Sequence, residues 1–297
     1  MGNRSTARYE LSEPARDVLF VRGPASNWVI LRRGQEFTLV DGGYPGDRDL
    51  VLLSIRESGL EPEAAAAVLV THAHVDHTGA AAWFADEFGT PVFCSPAELA
   101  LLRGEGREQV SPGQILLRAW RPRVLAWSAQ VLGAGGLMRV AIPRARAWTD
   151  AVLADLPGSP VAVPTAGHTP GHTSFLLPEA RAVITGDALV TGHRISGRTG
   201  PQLLHGMFHS DGAGMDRALL TLARLDASLL LPGHGPALRI GIREAVETVR
   251  GQAARTRPRT AVVLPGRRRP GLAGEPGYGR IRGRGEPARP EPISAPM

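Results

Sequence analysis

A short apolar run, residues 67–70, leads directly into a segment with three histidines and one aspartate within six positions. A run of this length with two β-branched valines is typical of a buried strand. A strand that ends in such a cluster brings imidazoles and a carboxylate to the edge of a sheet, and these are ligands that Zn²⁺ prefers. The four residues are His72, His74, Asp76 and His77. The stretch therefore predicts a metal site at the end of a strand.

Three more apolar runs end in a Gly- or Pro-rich turn that carries histidine or aspartate. The runs are 161–164, 182–184 and 229–231. Turns of this kind at strand ends are expected to converge on one edge of a sheet arrangement. The polar residues that they carry are His168 and His172, Asp187, and His234. The chain thus offers further metal ligands at the places where they are needed.

Around these turns the apolar pattern predicts alternating strands and helices, which favours an α/β sandwich with helices outside. The expected strands include 18–21, 28–31, 37–40 and 90–94. The expected helices are 49–58, 80–88, 96–103, 215–226 and 240–250.

The four motifs resemble those of the metallo-β-lactamase superfamily, and within it the glyoxalase II-like hydrolases. The resemblance covers about residues 17–250. It implies the α/β fold of that family, a four-layer αβ/βα sandwich, as the catalytic domain. Residues 1–16 are then expected to be a flexible N-terminus. Residues 105–158 fall where the family carries a variable insertion, here mainly helical, that shapes the substrate pocket.

The resemblance also implies two zinc ions per chain with a hydroxide between them as the nucleophile. Asp76 and Asp187 would be the catalytic carboxylates. Carried over residue by residue, one ion is held by His72, His74 and His172, the other by Asp76, His77 and His234, and Asp187 bridges the two.

Five further residues are expected near this site without binding the ions directly. Asp41 ends the third strand in an Asp-Gly-Gly turn and corresponds to the aspartate that supports the metal loop in the family. His168 is surplus to the ligand count and is expected to play a supporting role. His193, His205 and His209 follow Asp187 in a loop-like segment and are candidates for the substrate pocket.

The expected insertion contains three tryptophans, Trp120, Trp127 and Trp148. They either line an apolar pocket or pack the insertion onto the body, and packing is slightly favoured. Cys94 lies in an apolar strand and is expected to be a buried, inert thiol. As the only cysteine, it excludes an intrachain disulfide, which is typical of a reducing compartment. With no 18-residue apolar run, the sequence favours a cytoplasmic protein and leaves the oligomeric state open.

The basic charge is concentrated at the C-terminus. Residues 251–297 contain ten arginines against three glutamates, while the whole chain carries a net charge of +6, so the body is near neutral. The segment is rich in Pro and Gly and poor in apolar residues, which predicts a disordered tail. A basic tail could contact RNA. The neutral body, however, lacks the basic surface expected of a nucleic-acid enzyme.

The resemblance implies a metal-dependent hydrolase that cleaves an ester, thioester or lactone of a small molecule. The specific activities known within the family are not supported by the residues of this chain. The chain has no lysine with which to reproduce the glutathione contacts of glyoxalase II. No tyrosine follows shortly after Asp187, where the lactone-cleaving branch places one. Asp187 also stands where one lactam-cleaving branch has a cysteine ligand, which disfavours antibiotic hydrolysis.

Two alternatives remain open at the level of sequence. The first is a mononuclear Fe²⁺ dioxygenase acting on a persulfide, which uses a subset of the same motifs. The second is a nucleic-acid phosphodiesterase with the arginine-rich tail as a tether. The body has no room for the additional domain or arm that nuclease branches of the family carry, so a small-molecule substrate is favoured over nucleic acid.

Overall fold

A computed structural model of the chain describes residues 9–106, 113, 115 and 117–256. The predicted disordered tail lies outside these residues from position 257 onward. Residues 251–256, which the sequence assigns to the tail, are instead the end of the last helix.

The first sheet has seven strands that follow one another in chain order. Its first four strands are antiparallel, and the pairs from the fourth to the seventh strand are parallel. The strands are β1 (Glu10–Ala15), β2 (Val18–Arg22), β3 (Asn27–Arg33), β4 (Glu36–Val40), β5 (Ala65–Leu69), β6 (Val92–Cys94) and β7 (Arg146–Ala147).

The second sheet has five strands in the order β14-β13-β10-β9-β8, and β11 pairs with β12 in a separate ribbon. In this sheet the adjacent pair β10 and β13 is parallel, and the other adjacent pairs are antiparallel. The strands are β8 (Val161–Pro164), β9 (Thr173–Leu177), β10 (Ala182–Gly186), β11 (Val190–Gly192), β12 (Thr199–Gln202), β13 (Leu229–Pro232) and β14 (Leu238–Arg239).

Helices connect the strands and cover the outer faces of the two sheets. They are α1 (Arg48–Glu57), α2 (Val75–Glu87), α3 (Leu99–Leu102), α4 (Pro122–Gly133), α5 (Asp150–Asp155), α6 (Gly212–Leu222) and α7 (Ile242–Thr256), with 3-10 turns at Pro45–Asp47, Pro62–Ala64 and Gly206–Phe208. Among the helices that the structure describes, none is both long and apolar enough to cross a membrane.

Three hydrophobic cores separate four layers. Successive side chains of a strand point to opposite faces, and the inner strands carry apolar residues at successive positions. Each sheet therefore packs against a hydrophobic core on both faces. In β3, Trp28 and Ile30 pack into the core beneath α1 and α2, whereas Val29 and Leu31 face the second sheet. In the second sheet Leu230 faces α6 and α7, while its neighbours in β13 face the first sheet. The predicted four-layer αβ/βα sandwich is confirmed.

The described part of the N-terminal segment forms a strand that the sequence does not predict. Residues 1–16 are expected to be flexible, yet β1 pairs with β2 as the edge strand of the first sheet. Its sequence is mostly polar and contains Pro14, so it lacks the apolar alternation by which strands are recognised. Leu11 is its main anchor on the core beneath α1 and α2. Backbone pairing, which no side-chain pattern reveals, holds the strand in place.

The second half of the predicted insertion belongs to the body. β7 pairs with β6 at the edge of the first sheet. Trp148 follows β7 and packs edge to face on Phe175 of β9, with 5.3 Å between ring centroids. Among the described residues of 105–158, α4 is therefore the main element outside the sandwich.

The strand ends of the two sheets meet at one edge of the sandwich. Asn27, at the start of β3, is buried and donates its side-chain amide to the carbonyl oxygens of Pro232, at 2.8 Å, and Gly235, at 2.7 Å. Its backbone N–H donates to Gly233 at 2.9 Å. These bonds fix the turn after β13 against the first sheet, so the carboxyl ends of strands from both sheets face a common space.

Helix α2 begins close to this edge and is held there by a contact that only glycine permits. A Cβ on Gly79 would lie 2.1 Å from the carbonyl carbon and 2.4 Å from the carbonyl oxygen of Tyr44. The backbone N–H of Gly79 donates to Gly43 at 2.8 Å. Helix α2 therefore rests directly, at Gly79, on the turn that follows β4.

Replacing Gly79 with alanine should lower the free energy of unfolding by about 3 kcal/mol or more, because backbone atoms cannot make room for the methyl group. Gly133, at the end of α4, has no atom within 4 Å of an added Cβ. Gly133→Ala is therefore the matched control, with an expected effect of about 1 kcal/mol or less. Urea unfolding followed by circular dichroism measures both. Equal destabilisation of the two variants would contradict this account of the contact.

Candidate metal centre

The first motif spans a loop and the beginning of a helix. β5 ends at Leu69, the chain turns through His72, and His74 is the residue before α2. Asp76 and His77 therefore lie on the first helical turn instead of in a loop, since α2 starts five residues earlier than the sequence predicts. The backbone dipoles of a helix stabilise a carboxylate in this position.

Side chains from both sheets converge here into three overlapping groups. Within each group one ligand atom from every residue lies within 4.8 Å of the others. His74 and Asp76 are half-buried, and the other members are buried. The groups are His72, His74 and His168; Asp76, His77 and His234; and His72, His77 and Asp187.

The carboxylate of Asp187 lies between the first two groups. Its Oδ1 is 3.5 Å from Nε2 of His77. Its Oδ2 is 3.4 Å from Nε2 of His168 and 3.3 Å from Nε2 of His234. Asp76 lies on the side of the second group, with Oδ2 at 3.4 Å from Nε2 of His234. One carboxylate thus faces donors from both groups.

Hydrogen bonds outside the cluster orient the rings. Nδ1 of His77 lies 2.8 Å from Oδ2 of Asp41, and Nδ1 of His234 lies 2.8 Å from the carbonyl oxygen of Ala25. Each acceptor calls for a proton on Nδ1, which leaves Nε2 facing the centre. The structure therefore places Asp41 where the sequence predicts a supporting residue, in direct contact with His77.

Asp41 also holds the loop that carries His72. It accepts the backbone N–H of Thr71 at 2.9 Å and the Thr71 hydroxyl, also at 2.9 Å. Because that hydroxyl donates to Asp41, its oxygen can accept Nδ1–H of His72 at 3.0 Å. The backbone of Asp41 is left-handed, with φ of 61°, a conformation that aspartate tolerates better than most residues. The sequence does not predict a role for Thr71, because that role depends on its contacts with Asp41 and His72 in the folded chain.

The structure exchanges the places expected for His168 and His172. Nε2 of His168 lies 2.9 Å from Nδ1 of His74, inside the first group. His172 is buried with both ring nitrogens engaged elsewhere: Nε2 accepts the backbone N–H of Asp187 at 3.0 Å, and Nδ1 lies 2.9 Å from the hydroxyl of Thr165. A ring bonded in this way has no free nitrogen for an ion. The geometry thus places His168, and not His172, among the candidate ligand atoms, which is the reverse of the expectation from sequence.

The three histidines expected in the pocket take different positions. His193 packs edge to face on the ligand candidate His234, with ring centroids 5.2 Å apart. His209 lies beside His168, at 5.6 Å between centroids. His205 is exposed and its Nδ1 accepts the backbone N–H of residue 207, which caps a 3-10 turn. Two of the three thus adjoin the cluster, and His205 does not.

The tryptophans of the expected insertion differ in their surroundings. Trp127 of α4 is 5.6 Å from Phe208 and 6.0 Å from His193 between ring centroids. Together these three residues form an aromatic wall next to His234. Trp120, by contrast, is 76% exposed. Trp127 is buried and Trp148 packs on the body, as the preference for packing predicts, and Trp127 packs close to the site.

Burial and the neighbouring groups shift the pKa values of the cluster in opposite directions. Burial and the neighbouring histidines hold the pKa of His72 well below its usual range. Burial also opposes protonation of His234, but Asp187 and Asp76 outweigh it and raise the pKa of His234 to about 10. For Asp76, burial would raise the pKa, but His77 and His234 outweigh it and lower the pKa to about 2.

Two buried atoms in the cluster have no hydrogen-bond partner within the described residues. They are Nε2 of His77 and Oδ1 of Asp187. An unpaired buried polar atom is costly, and native structures rarely leave one without a reason. Both atoms belong to the groups that could hold a cation. Imidazole nitrogens and carboxylate oxygens suit a divalent ion such as zinc, so the residues fit a metal centre.

Comparison with known proteins identifies the family. The family model of the metallo-β-lactamase superfamily matches residues 21–234, which include every motif residue from Asp41 to His234. The chain therefore belongs to the metallo-β-lactamase superfamily. Its general class is that of a metallo-hydrolase of this superfamily.

Curated relatives match over most of their length. A Bacillus subtilis protein, probable metallo-hydrolase YflN, is 26% identical over 214 residues, which cover 67% of this chain and 75% of that protein. The uncharacterized protein Rv2581c of Mycobacterium tuberculosis is 30% identical over 229 residues, which cover 73% of this chain and 89% of that protein.

Solved structures share the fold. A metallo-β-lactamase from Cronobacter sakazakii with a HARLDQ motif aligns with a TM-score of 0.57 and 17% identity, covering 82% of this chain and 93% of that chain. Rm3 metallo-β-lactamase aligns with a TM-score of 0.55 and 17% identity, covering 80% and 90%. At this identity the likeness concerns the fold alone.

The exchange of His168 and His172 can be tested by metal content. His168→Ala should lower the metal retained per chain after dialysis, because it removes a donor from the first group. His172→Ala should retain more metal and instead lower the free energy of unfolding by about 1–3 kcal/mol, since it breaks buried hydrogen bonds. Elemental analysis and urea unfolding of both variants provide the comparison. Loss of metal from the His172 variant alone would restore the ligand set expected from sequence.

Proposed function

We propose that this protein is a binuclear, zinc-dependent hydrolase that cleaves an ester, thioester or lactone bond in a small molecule. One observation carries the proposal: two groups of three donors face each other across the carboxylate of Asp187. The proposed ligands of one ion are His72, His74 and His168, those of the other are Asp76, His77 and His234, and Asp187 bridges the two.

When bound, two divalent cations would acidify water and stabilise the negative charge that develops on the substrate oxygen. The protein's own groups hold this site in place before any substrate arrives. Asp41 and the carbonyl oxygen of Ala25 fix the ring orientations of His77 and His234. His172 fixes the backbone of Asp187. Such preorganisation is the main contribution that a protein makes to charge stabilisation.

The two catalytic carboxylates differ in their access to solvent. The side chain of Asp187 is 3% exposed and is surrounded by histidines, which suits a fixed bridging role. The side chain of Asp76 is 14% exposed. The side chain of Asp76 is thus less enclosed, and besides binding the second ion it can orient an attacking water by accepting its hydrogen bond.

Aromatic side chains next to the site support a substrate with an apolar part. The aromatic wall of Trp127, His193 and Phe208 lies against His234. Aromatic rings bury large apolar area and pack well against acyl chains or rings. An ester, thioester or lactone with an apolar acyl part fits this wall. A polyanionic nucleic acid does not, which supports the small-molecule substrate over the phosphodiesterase.

Asp187→Asn should reduce the turnover of such substrates by about 10³-fold or more, which corresponds to about 4 kcal/mol of activation free energy, because the neutral amide cannot bridge two cations. A panel of an aryl ester, an acyl thioester and a lactone, assayed with the purified protein, measures the effect. Asp150→Asn, at an exposed position at the start of α5, is the control and should leave turnover unchanged. An active Asp187 variant would refute the bridging role.

A further inference from the structure

Glu98 is a fully buried carboxylate close to the metal centre. It lies between β6 and α3 and has 0% exposure. Within the described part of the chain it takes part in no ion pair, so hydrogen bonds alone compensate its burial. The desolvation of a carboxylate is expensive unless donors surround it. The identity of those donors indicates the role of Glu98.

All the donors that Glu98 receives come from the two loops that carry the first group of ligands. Oε2 accepts the backbone N–H of Ala73 at 2.8 Å, and Ala73 lies between His72 and His74. Oε1 accepts the hydroxyl of Thr169 at 2.5 Å and the backbone N–H of Gly171 at 2.8 Å. Thr169 directly follows His168. One carboxylate thus ties together the loop after β5 and the loop between β8 and β9.

The second loop is pressed against the same turn. Ser95 donates its hydroxyl to the carbonyl oxygen of Gly171 at 2.6 Å and accepts the backbone N–H of Glu98 at 3.3 Å. A Cβ on Gly171 would lie 2.5 Å from Oγ of Ser95 and 2.7 Å from the backbone nitrogen of Glu98. The absence of a side chain at position 171 is what allows this close approach, which holds the loop of His168 in register.

We propose that Glu98 is a positioning residue that sets the separation between the His72–His74 loop and His168, and thereby the affinity of the first metal site. The inference rests on the proposed metal centre. It assigns to Glu98 an effect on one ion only, because its hydrogen bonds reach no neighbour of Asp76, His77 or His234.

Glu98→Gln is the most direct test. Glutamine keeps the length of the side chain but replaces one acceptor oxygen with an amide group, which must then face N–H or O–H donors from one of the two loops. We expect the affinity of one metal-binding step to fall by about 10-fold or more, the range seen when groups that orient metal ligands are removed, and the other step to stay unchanged. Competition of zinc with a chromophoric chelator resolves the two steps.

Ser54→Ala is the matched control. Ser54 is buried and accepts Nε1–H of Trp28 at 3.0 Å in the core beneath α1 and α2, away from the ligand loops. It should lower the stability of the metal-free protein while leaving both binding steps unchanged. If Glu98→Gln behaves in the same way, Glu98 is a structural residue only and the proposal is overturned.

If Glu98→Gln does not fold, Thr169→Val tests the same hydrogen-bond network. It removes one of three donors at nearly constant volume and should weaken the same binding step by a smaller factor. Unchanged affinity at both steps would count against the proposal. The proposed function fails separately: if the native protein binds two ions but hydrolyses no substrate of the panel, a selective effect of Glu98→Gln on one step still supports the positioning role.

Discussion

The contacts of the buried Asp187 carboxylate with three histidines constrain everything around it. Nε2 atoms of His77, His168 and His234 lie 3.3 to 3.5 Å from its oxygens, and the three histidines come from separate segments of the chain. A carboxylate buried among imidazoles is stable only with positive charge nearby, supplied by protons or by a cation. The fold must therefore bring four strand ends from two sheets to one point and hold them there.

Hydrogen bonds from backbone N–H groups to buried side chains fix the positions of these loops. The His172 ring accepts the backbone N–H of Asp187, and the Asp41 carboxylate accepts that of Thr71. The Glu98 carboxylate accepts the backbone N–H groups of Ala73 and Gly171. Each side chain is buried, and each binds a loop instead of a ligand ring alone. The ring positions thus depend on buried polar groups in the body, which also explains why loops rich in glycine can carry a precise site.

Much of this arrangement can be predicted from the sequence, because strands that are apolar on both faces and end in histidine or aspartate leave few alternatives. The layers and the convergence of the motifs follow from that pattern. The distinction between His168 and His172 does not, since both stand in one turn and only the hydrogen bonds of His172 separate them. Glu98 resembles an ordinary helix residue in sequence, and β1 is recognisable only by its backbone pairing.

In the proposed metal centre the two groups of donors hold two ions. Elemental analysis of the purified, untagged protein, with the protein concentration determined by amino-acid analysis, tests this most directly. Two zinc ions per chain are expected, both lost on prolonged dialysis against a strong chelator and both regained on addition of zinc. One ion per chain, and in particular a single iron, would contradict the bridging role of Asp187 and favour the mononuclear dioxygenase chemistry instead.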